Sequence, residues 1–441
     1  MLITVLLERA TRKSDRNSSL PPSQTPKDET AQRASRSDGK GMRGNGQTGA
    51  NPRGTTVGET ATAEACGACG ADLTGVEATD RERRVPYDIV FEVVERRVDA
   101  EVKECPACRA RTRGRFPDGR PGPLQYGTGP RAFTVNPPVA RTLSLNRATA
   151  LVRAISGLNL SEATCPGYVR RLHDALGPWE EAAVARLLKA PAPHADETGF
   201  RVDGRTQWLH VLTDGSLTLK RLHRRRGREA IEEIGVIPRY AGTLVHDCWK
   251  AYLTYTGCGH RLCGAHLLRE LAFAVDSNDY RWARLMGTLP RGACHRVNAS
   301  PTKTLTAPER RRIVKRYRTI LTQGARELPE IPPRPKGRRG RIAKSDAHNP
   351  HGRLVRHEAS VLRFMSDPHA SFTNNTGERK IRMAKVKLKV SGCFRTQFHA
   401  EAWCRILGYL ISMAAQGYNP LVAIQIALAG DAANIIRERD A

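Results

Sequence analysis

An α/β fold is expected for this 441-residue chain. Between His194 and Asp247 three segments of strand character precede a short helical run and a fourth apolar strand, and the stretches on either side carry apolar residues at helical spacing. Asp-Gly pairs at 203–204 and 214–215 separate the first three segments, as hairpin turns do.

Residues 1–64 are expected to form a flexible basic arm. They hold Ser, Thr, Gly, Pro, Arg and Lys with few large apolar side chains, too little to offset the entropy of ordering. Residues 65–115 follow with Cys66-Gly-Ala-Cys69 and Cys105-Pro-Ala-Cys108, separated by 35 residues. Two such knuckles supply four soft thiolates, the tetrahedral set that suits Zn2+. Val90, Val94, Val98, Ala100 and Val102 alternate between them as strand residues would, so a zinc ribbon is expected, each knuckle capping a hairpin. A redox pair is the alternative, and it leaves the duplication of the motif unexplained.

Residues 116–190 read as a small helical module. After a Gly-Pro-rich stretch at 119–129, helical character runs from Val139 to Leu188, with Leu151, Ala154, Ile155 and Leu158 on one helix and Tyr168, Leu172 and Leu176 on a second. Pro191 and Pro193 then favour extended backbone. Strand candidates follow at Phe200 to Val202, Trp208 to Leu212 and Leu217 to Leu222, with a helix over Arg228 to Ile234 and a fourth strand ending at Asp247. Three strands, a helix and a strand are the opening order of an RNase H-like core, placed at 191–275 with a helix from His266 to Val275. Residues 276–353 read as a basic helical insertion. Within them, 301–344 hold fourteen Lys or Arg against three Glu, including Arg310 to Arg312 and the pair Arg338 and Arg339. Such a run is a solvated surface or a phosphate contact. Residues 354–429 close the core with helices, and 430–441 form a charged tail.

The chain carries 72 Lys plus Arg against 44 Asp plus Glu, a formal charge of +28, so a polyanion is the natural partner. No apolar stretch reaches the roughly 20 residues that span a bilayer. The opening Met-Leu-Ile-Thr-Val-Leu-Leu is short for a secretory segment. A cytoplasmic protein without membrane association is expected, and its eleven cysteines then read as thiols or metal ligands.

Against this cationic background stand three acids in patterned settings: Asp196 in His-Ala-Asp-Glu-Thr, Asp247 in Val-His-Asp-Cys-Trp, and Glu378 in Asn-Asn-Thr-Gly-Glu-Arg. Hard carboxylate ligands from a first strand, the end of a fourth and a later helix suit Mg2+ or Mn2+ in phosphodiester chemistry. Crowded anions raise one another's proton affinity unless a cation neutralises them, so metal belongs to the reading. Each acid alone also fits a plainer role. Asp196 is then a turn residue beside Thr198, Asp247 a strand-end cap, and Glu378 the partner of Asn375 in a capping box.

Beyond Glu378 come Arg379, Lys380, Arg382, Lys385, Lys387, Lys389 and Arg395 with no intervening acid. On a helix, Arg382 and Lys385 share the glutamate's face, where they hold DNA phosphate or face solvent. Cys258, His260, Cys263 and His266 have the density of a metal site, but packing at a strand-helix junction accounts for them equally well. No zinc is assigned there.

The chain resembles the insertion-sequence-66 family of bacterial transposases from about Asn17 to Leu428. The resemblance rests on Asn17-Ser-Ser-Leu-Pro-Pro-Ser23, the two cysteine pairs, His194-Ala-Asp-Glu-Thr-Gly199, Gly227-Arg-Glu-Ala230, Val245-His-Asp247, Leu262-Cys-Gly-Ala-His266 with Leu268-Arg-Glu-Leu271, Asn374-Asn375 with Glu378-Arg379, and Ser391-Gly-Cys-Phe-Arg395. It implies a DDE triad at Asp196, Asp247 and Glu378, cleavage at element ends by water, and attack of the freed 3′-hydroxyl on target DNA. It also implies terminal repeats and target DNA as partners, a homo-oligomer on DNA, and small companion proteins of the element. Two departures stand out. Residues 127–147 look shortened and less apolar than the family's helix, and Gly377 stands where alanine is usual. Two other functions fit the same composition: a catalytically inactive DNA-binding remnant, and a structure-directed RNase H-like nuclease.

Overall fold

The computed structural model describes residues 60–82, 84, 91–117, 122, 124–331 and 344–436. Arg338, Arg339 and nearly all of the expected N-terminal arm lie outside them. The described residues divide into two compact units, one up to Val94 and one from Glu95 onward.

In the smaller unit Cys66 and Cys69 sit in a tight turn closed by Gly70 N–H on Cys66 O at 2.9 Å and by an isolated bridge between Ala65 and Asp72. In the larger unit Cys105 and Cys108 repeat this turn. Arg109 N–H bonds Cys105 O at 2.7 Å, and the turn joins β1 (Val102–Glu104) to β2 (Arg111–Arg113), which pair antiparallel. The residue after each pair takes positive φ, 75° at Gly70 and 57° at Arg109. Strand alternation was expected from Val90 to Val102, but residues 91–101 form no strand and only Val102 is in one. Val93, Val94 and Val98 are exposed, so no second layer rewards their alternation. Val90 lies outside the described residues.

Four helices come next: α1 (Thr128–Ala140), α2 (Leu145–Ser156), α3 (Cys165–Ala175) and α4 (Gly177–Lys189). α1 starts well before Val139, inside the stretch read as Gly-Pro-rich. It tolerates Pro137 and Pro138 because Ala132, Val135 and Val139 are buried and Trp403 Nε1 donates to Val139 O at 3.1 Å. α2 conforms to local rules, with Ser144 capping its first turn and Gly157 in the left-handed region at its end.

The sheet is mixed and five-stranded, in the order β5-β4-β3-β6-β7. Its strands are β3 (His194–Val202), β4 (Arg205–Thr213), β5 (Thr218–His223), β6 (Thr243–His246) and β7 (Gly259–Leu262), with α5 (Arg228–Ile234) between β5 and β6. The first three form the expected antiparallel meander, turned at Asp203-Gly204 and over 214–217. β6 and β7 run parallel to β3, and β7 is too short and too polar to be legible in sequence.

α6 (Gly264–Asn278) leaves β7, followed by α7 (Arg281–Ala299), α8 (Ala307–Glu327), α9 (His348–Arg356) and α10 (Glu358–Leu362). This basic insertion has its own core, in which Trp282, Met286, Ile313, Tyr317, Leu354 and Phe364 are buried. The chain returns through α11 (Asn375–Ser391), α12 (Gln397–Ala415) and α13 (Pro420–Ala429). α12 packs on β5 so closely that a Cβ at Gly408 would stand 2.8 Å from Thr218 O. Its Trp403, Leu407 and Tyr409 join α1, α3, α4 and the sheet in one core. Among the described residues, no helix is long and apolar enough to cross a membrane.

Candidate active site

The sheet aligns its functional residues by register. His194 pairs with Val245, and Val245 with Arg261, in adjacent parallel strands. Two residues further along each segment stand Asp196, Asp247 and Cys263, so these three share one row across β3, β6 and β7. Cys263 N–H on His246 O at 2.8 Å carries the row past the ends of β6 and β7.

Asp196 lies within β3, so the turn role considered for it is excluded. Burial lifts its carboxyl well above the ordinary range, helped by the charges of Glu197 and Asp247 and more weakly by Glu378. Asp196 thus senses the charges of both Asp247 and Glu378. Asp247 does serve the local turn, because its Oδ1 accepts from Trp249 N–H at 3.1 Å. One carboxylate oxygen remains for other partners.

Glu197 points to the other face of β3 and is committed to structure. Its Oε1 accepts from Arg226 Nε at 3.0 Å and Nη2 at 2.6 Å, and its Oε2 accepts from the Tyr252 hydroxyl at 2.6 Å. Arg226 in turn lies over the rings of Trp208 and Trp249, at 4.9 and 4.6 Å from their centroids. Both aromatic residues that follow Asp247, Trp249 and Tyr252, are therefore tied back to β3 and β4.

Glu378 comes from the first turn of α11. Asn374 precedes that helix without capping it through its side chain, so the expected capping box is absent. The Asn374 side chain reaches into the sheet instead. Nδ2 donates to Ala195 O at 2.9 Å, which leaves Oδ1 to accept from His194 Nδ1–H at 2.9 Å. Asn374 N–H donates to Cys263 Sγ at 3.1 Å. Burial holds His194 below its ordinary pKa, so its neutral ring fits this bond.

Gly377 lies against the same clamp. A Cβ there would stand 3.1 Å from Asn374 Oδ1 and 3.4 Å from His194 Cβ. The segment before α11 is held from the other side: Arg261, fully buried, donates Nη2 to Phe372 O at 2.8 Å. Its guanidinium lies beside the Phe364 and Phe372 rings, 4.9 and 5.3 Å from their centroids. A Cβ at Gly264 would meet the Phe372 ring at 2.5 Å, so glycine is required where α6 begins.

Of the basic residues expected beyond Glu378, Arg382, Lys385 and Lys389 are exposed. Lys387 is half-buried with its ammonium 5.2 Å from the Phe394 ring centroid. Glu378 also has neighbours on its inner side that no local motif announces. Cys263 Sγ lies 3.9 Å and His266 Nδ1 3.5 Å from Glu378 Oε1. The Cys/His density was visible in sequence, but its connection to an acid 115 positions away was not.

The sequence model of the transposase family IS66 matches residues 124–402. The chain belongs to that family. No curated protein matches it. An IS66 transposase acts on DNA, which accounts for the cationic composition. The match takes in the whole sheet, the basic insertion and α11, and with them all three acids.

The raised Asp196 carboxyl gives a pH test. Its folded-state pKa lies above the unfolded one, so its share of stability is full below the ordinary carboxylate range and is lost as pH climbs through the raised value. Asp196→Asn should therefore melt higher than the wild type near neutral pH in chelator, and the gap should close on acidification. Thermal melts across a pH series check this.

Proposed function

We propose that this IS66 transposase is of the DDE type, with Asp196, Asp247 and Glu378 as its catalytic acids on an RNase H-like core. It binds the terminal repeats of its element, cuts the strand at the element end, and joins the freed 3′-hydroxyl to target DNA. The observation that carries the reading is the shared row of Asp196 and Asp247 on neighbouring strands, with the Asn374 clamp fixing the start of the helix that bears Glu378. The order of meander, helix and parallel strand supports the fold assignment.

The donor set suits a hard divalent cation. Three carboxylates offer oxygens and leave positions for water and phosphate, and the upward shift of Asp196, set first by burial and then by the charges of Glu197, Asp247 and Glu378, is one that a cation would relieve. Asp196, Asp247 and Glu378 would hold Mg2+ or Mn2+, which supplies a more acidic nucleophile and charge stabilisation at phosphorus. The protein's own part is to orient the acids and grip the duplex.

Arg382 and Lys385 on the exposed side of α11 are assigned to DNA phosphate next to the acids, with Lys389 further out. On α8, a groove of about 650 Å3 is lined by Arg310, Arg311, Lys315 and Arg318. Arg318 is engaged by Glu358 at 2.7 Å and Arg310 by Leu305 O at 2.7 Å, so Arg311 and Lys315 are the cations left to a phosphate backbone. Lys387 has a weaker claim because its ammonium rests on Phe394. Arg338 and Arg339 extend the same basic insertion in sequence. A homo-oligomer on DNA and small companion proteins of the element complete the reading.

Cys66, Cys69, Cys105 and Cys108 are assigned to one zinc. The two turns share a hydrogen-bond pattern, and in each the first thiol is held below its ordinary pKa by backbone N–H groups, from Ala68 and Cys69 at Cys66 and from Cys108 and Ala107 at Cys105. Such thiolate-favouring turns suit a metal ligand.

Purified protein with Mg2+ should nick DNA carrying the terminal repeats. Asp196→Asn, Asp247→Asn and Glu378→Gln should each reduce cleavage to background while footprinting on the same DNA persists. Cleavage unaffected by Asp247→Asn would remove the DDE reading. Metal analysis should show one zinc lost on Cys66→Ser and the same one lost on Cys105→Ser. Retention of that zinc in both variants would remove the four-cysteine site.

A further inference from the structure

A second set of metal donors converges on Glu378 from the side away from solvent. One ligand atom each from Cys263, His266 and Glu378 lies within 4.8 Å of the others. Glu378 Oε1 is 3.5 Å from His266 Nδ1 and 3.9 Å from Cys263 Sγ. Ligands around one tetrahedral zinc stand about 3.3–3.8 Å apart, because zinc–nitrogen and zinc–sulfur bonds are about 2.0–2.3 Å long. The two distances from Glu378 thus approach those a zinc ion would impose.

Two further observations point to a ligand. His266 Nδ1 is buried and has no hydrogen-bond partner, because its approach to Glu378 lacks bonding geometry. An orphaned buried ring nitrogen calls for an explanation, and a metal is one. Cys263 is buried at the start of α6, and its sulfur accepts backbone N–H groups from Asn374, His266 and Ala265. The charges that act on His266 are those of Arg269 on one side and of Glu378, Asp247 and Glu270 on the other.

We propose that Cys263, His266 and Glu378 form a three-ligand site for a divalent transition metal, with zinc the ion it fits best. Sulfur, nitrogen and a single carboxylate make a borderline-soft set that Mg2+ does not favour. Binding displaces one proton from the Cys263 thiol and leaves a fourth position open. This extends the DDE reading, since it gives the same glutamate two competing claims: a hard cation shared with Asp196 and Asp247, and a softer one shared with Cys263 and His266. Zinc in the second place would withdraw Glu378 from the first.

The test uses the full chain, loaded with zinc and titrated with a chromophoric chelator. Wild type should hold one tightly bound zinc more than Cys263→Ser and more than His266→Asn, and Cys66→Ser should keep that extra ion. Loss of a direct ligand should weaken it by more than the roughly 10- to 100-fold lost with an outer partner. Asp196→Asn should keep the ion although cleavage is gone, so failure of the catalytic reading and failure of this one are told apart. Should Cys263→Ser not fold, Co2+-loaded His266→Asn serves. Its thiolate-to-cobalt band should fall relative to Co2+-loaded wild type by the share that Cys263 contributes. Equal zinc in wild type and folded His266→Asn overturns the proposal.

Discussion

The Asn374 side chain is the constraint on which the site depends. Its amide has one donor aimed at a β3 carbonyl and one acceptor aimed at the ring of His194, both at 2.9 Å and both buried. Buried polar groups so paired stabilise by only about 1 kcal/mol each, yet leaving them unpaired costs about 1–3 kcal/mol. That asymmetry fixes where α11 begins, and Glu378 stands four residues after Asn374. The tight space around Gly377 has the same origin, since the clamp leaves little room for a side chain there.

Around that clamp the remaining geometry follows from register and burial. Parallel pairing of β3, β6 and β7 lines up Asp196, Asp247 and Cys263. The Glu197, Arg226 and Tyr252 network fastens the loop after Asp247 to the back of β3. Two adjacent acids in one strand therefore divide their labour by the pleat. Asp196 faces the other acids with no ion pair among the described residues, and Glu197 is neutralised by its ion pair with the half-buried Arg226. Phe372 and Arg261 hold the segment before α11 against the start of α6, so the third acid is set by packing as well as by hydrogen bonds.

Much of this was legible in the chain before any coordinates. The meander was marked by its Asp-Gly turns, α5 by its short periodic run, and the acids by three separate motifs. What sequence could not show depends on long-range partners. The valines before Val102 alternate like a strand but have no layer to pack on, so their pattern misled. α1 was hidden by Pro137 and Pro138, whose helical cost is offset by burial against α12 and α13. Asn375 looked like one end of a capping box, but Asn374 is the residue that precedes the helix, and its amide serves the sheet. Cys263 and His266 fit a metal site and junction packing equally well in sequence, because their acidic neighbour comes from a distant helix.

One measurement bears most directly on the claim that acids from two strands and a helix act as a single cation site. Mn2+ binding to the full chain, followed by electron paramagnetic resonance, should be weakened in the same binding event by Asp196→Asn, by Asp247→Asn and by Glu378→Gln. Binding by Asp247→Asn or Glu378→Gln indistinguishable from wild type would contradict the account.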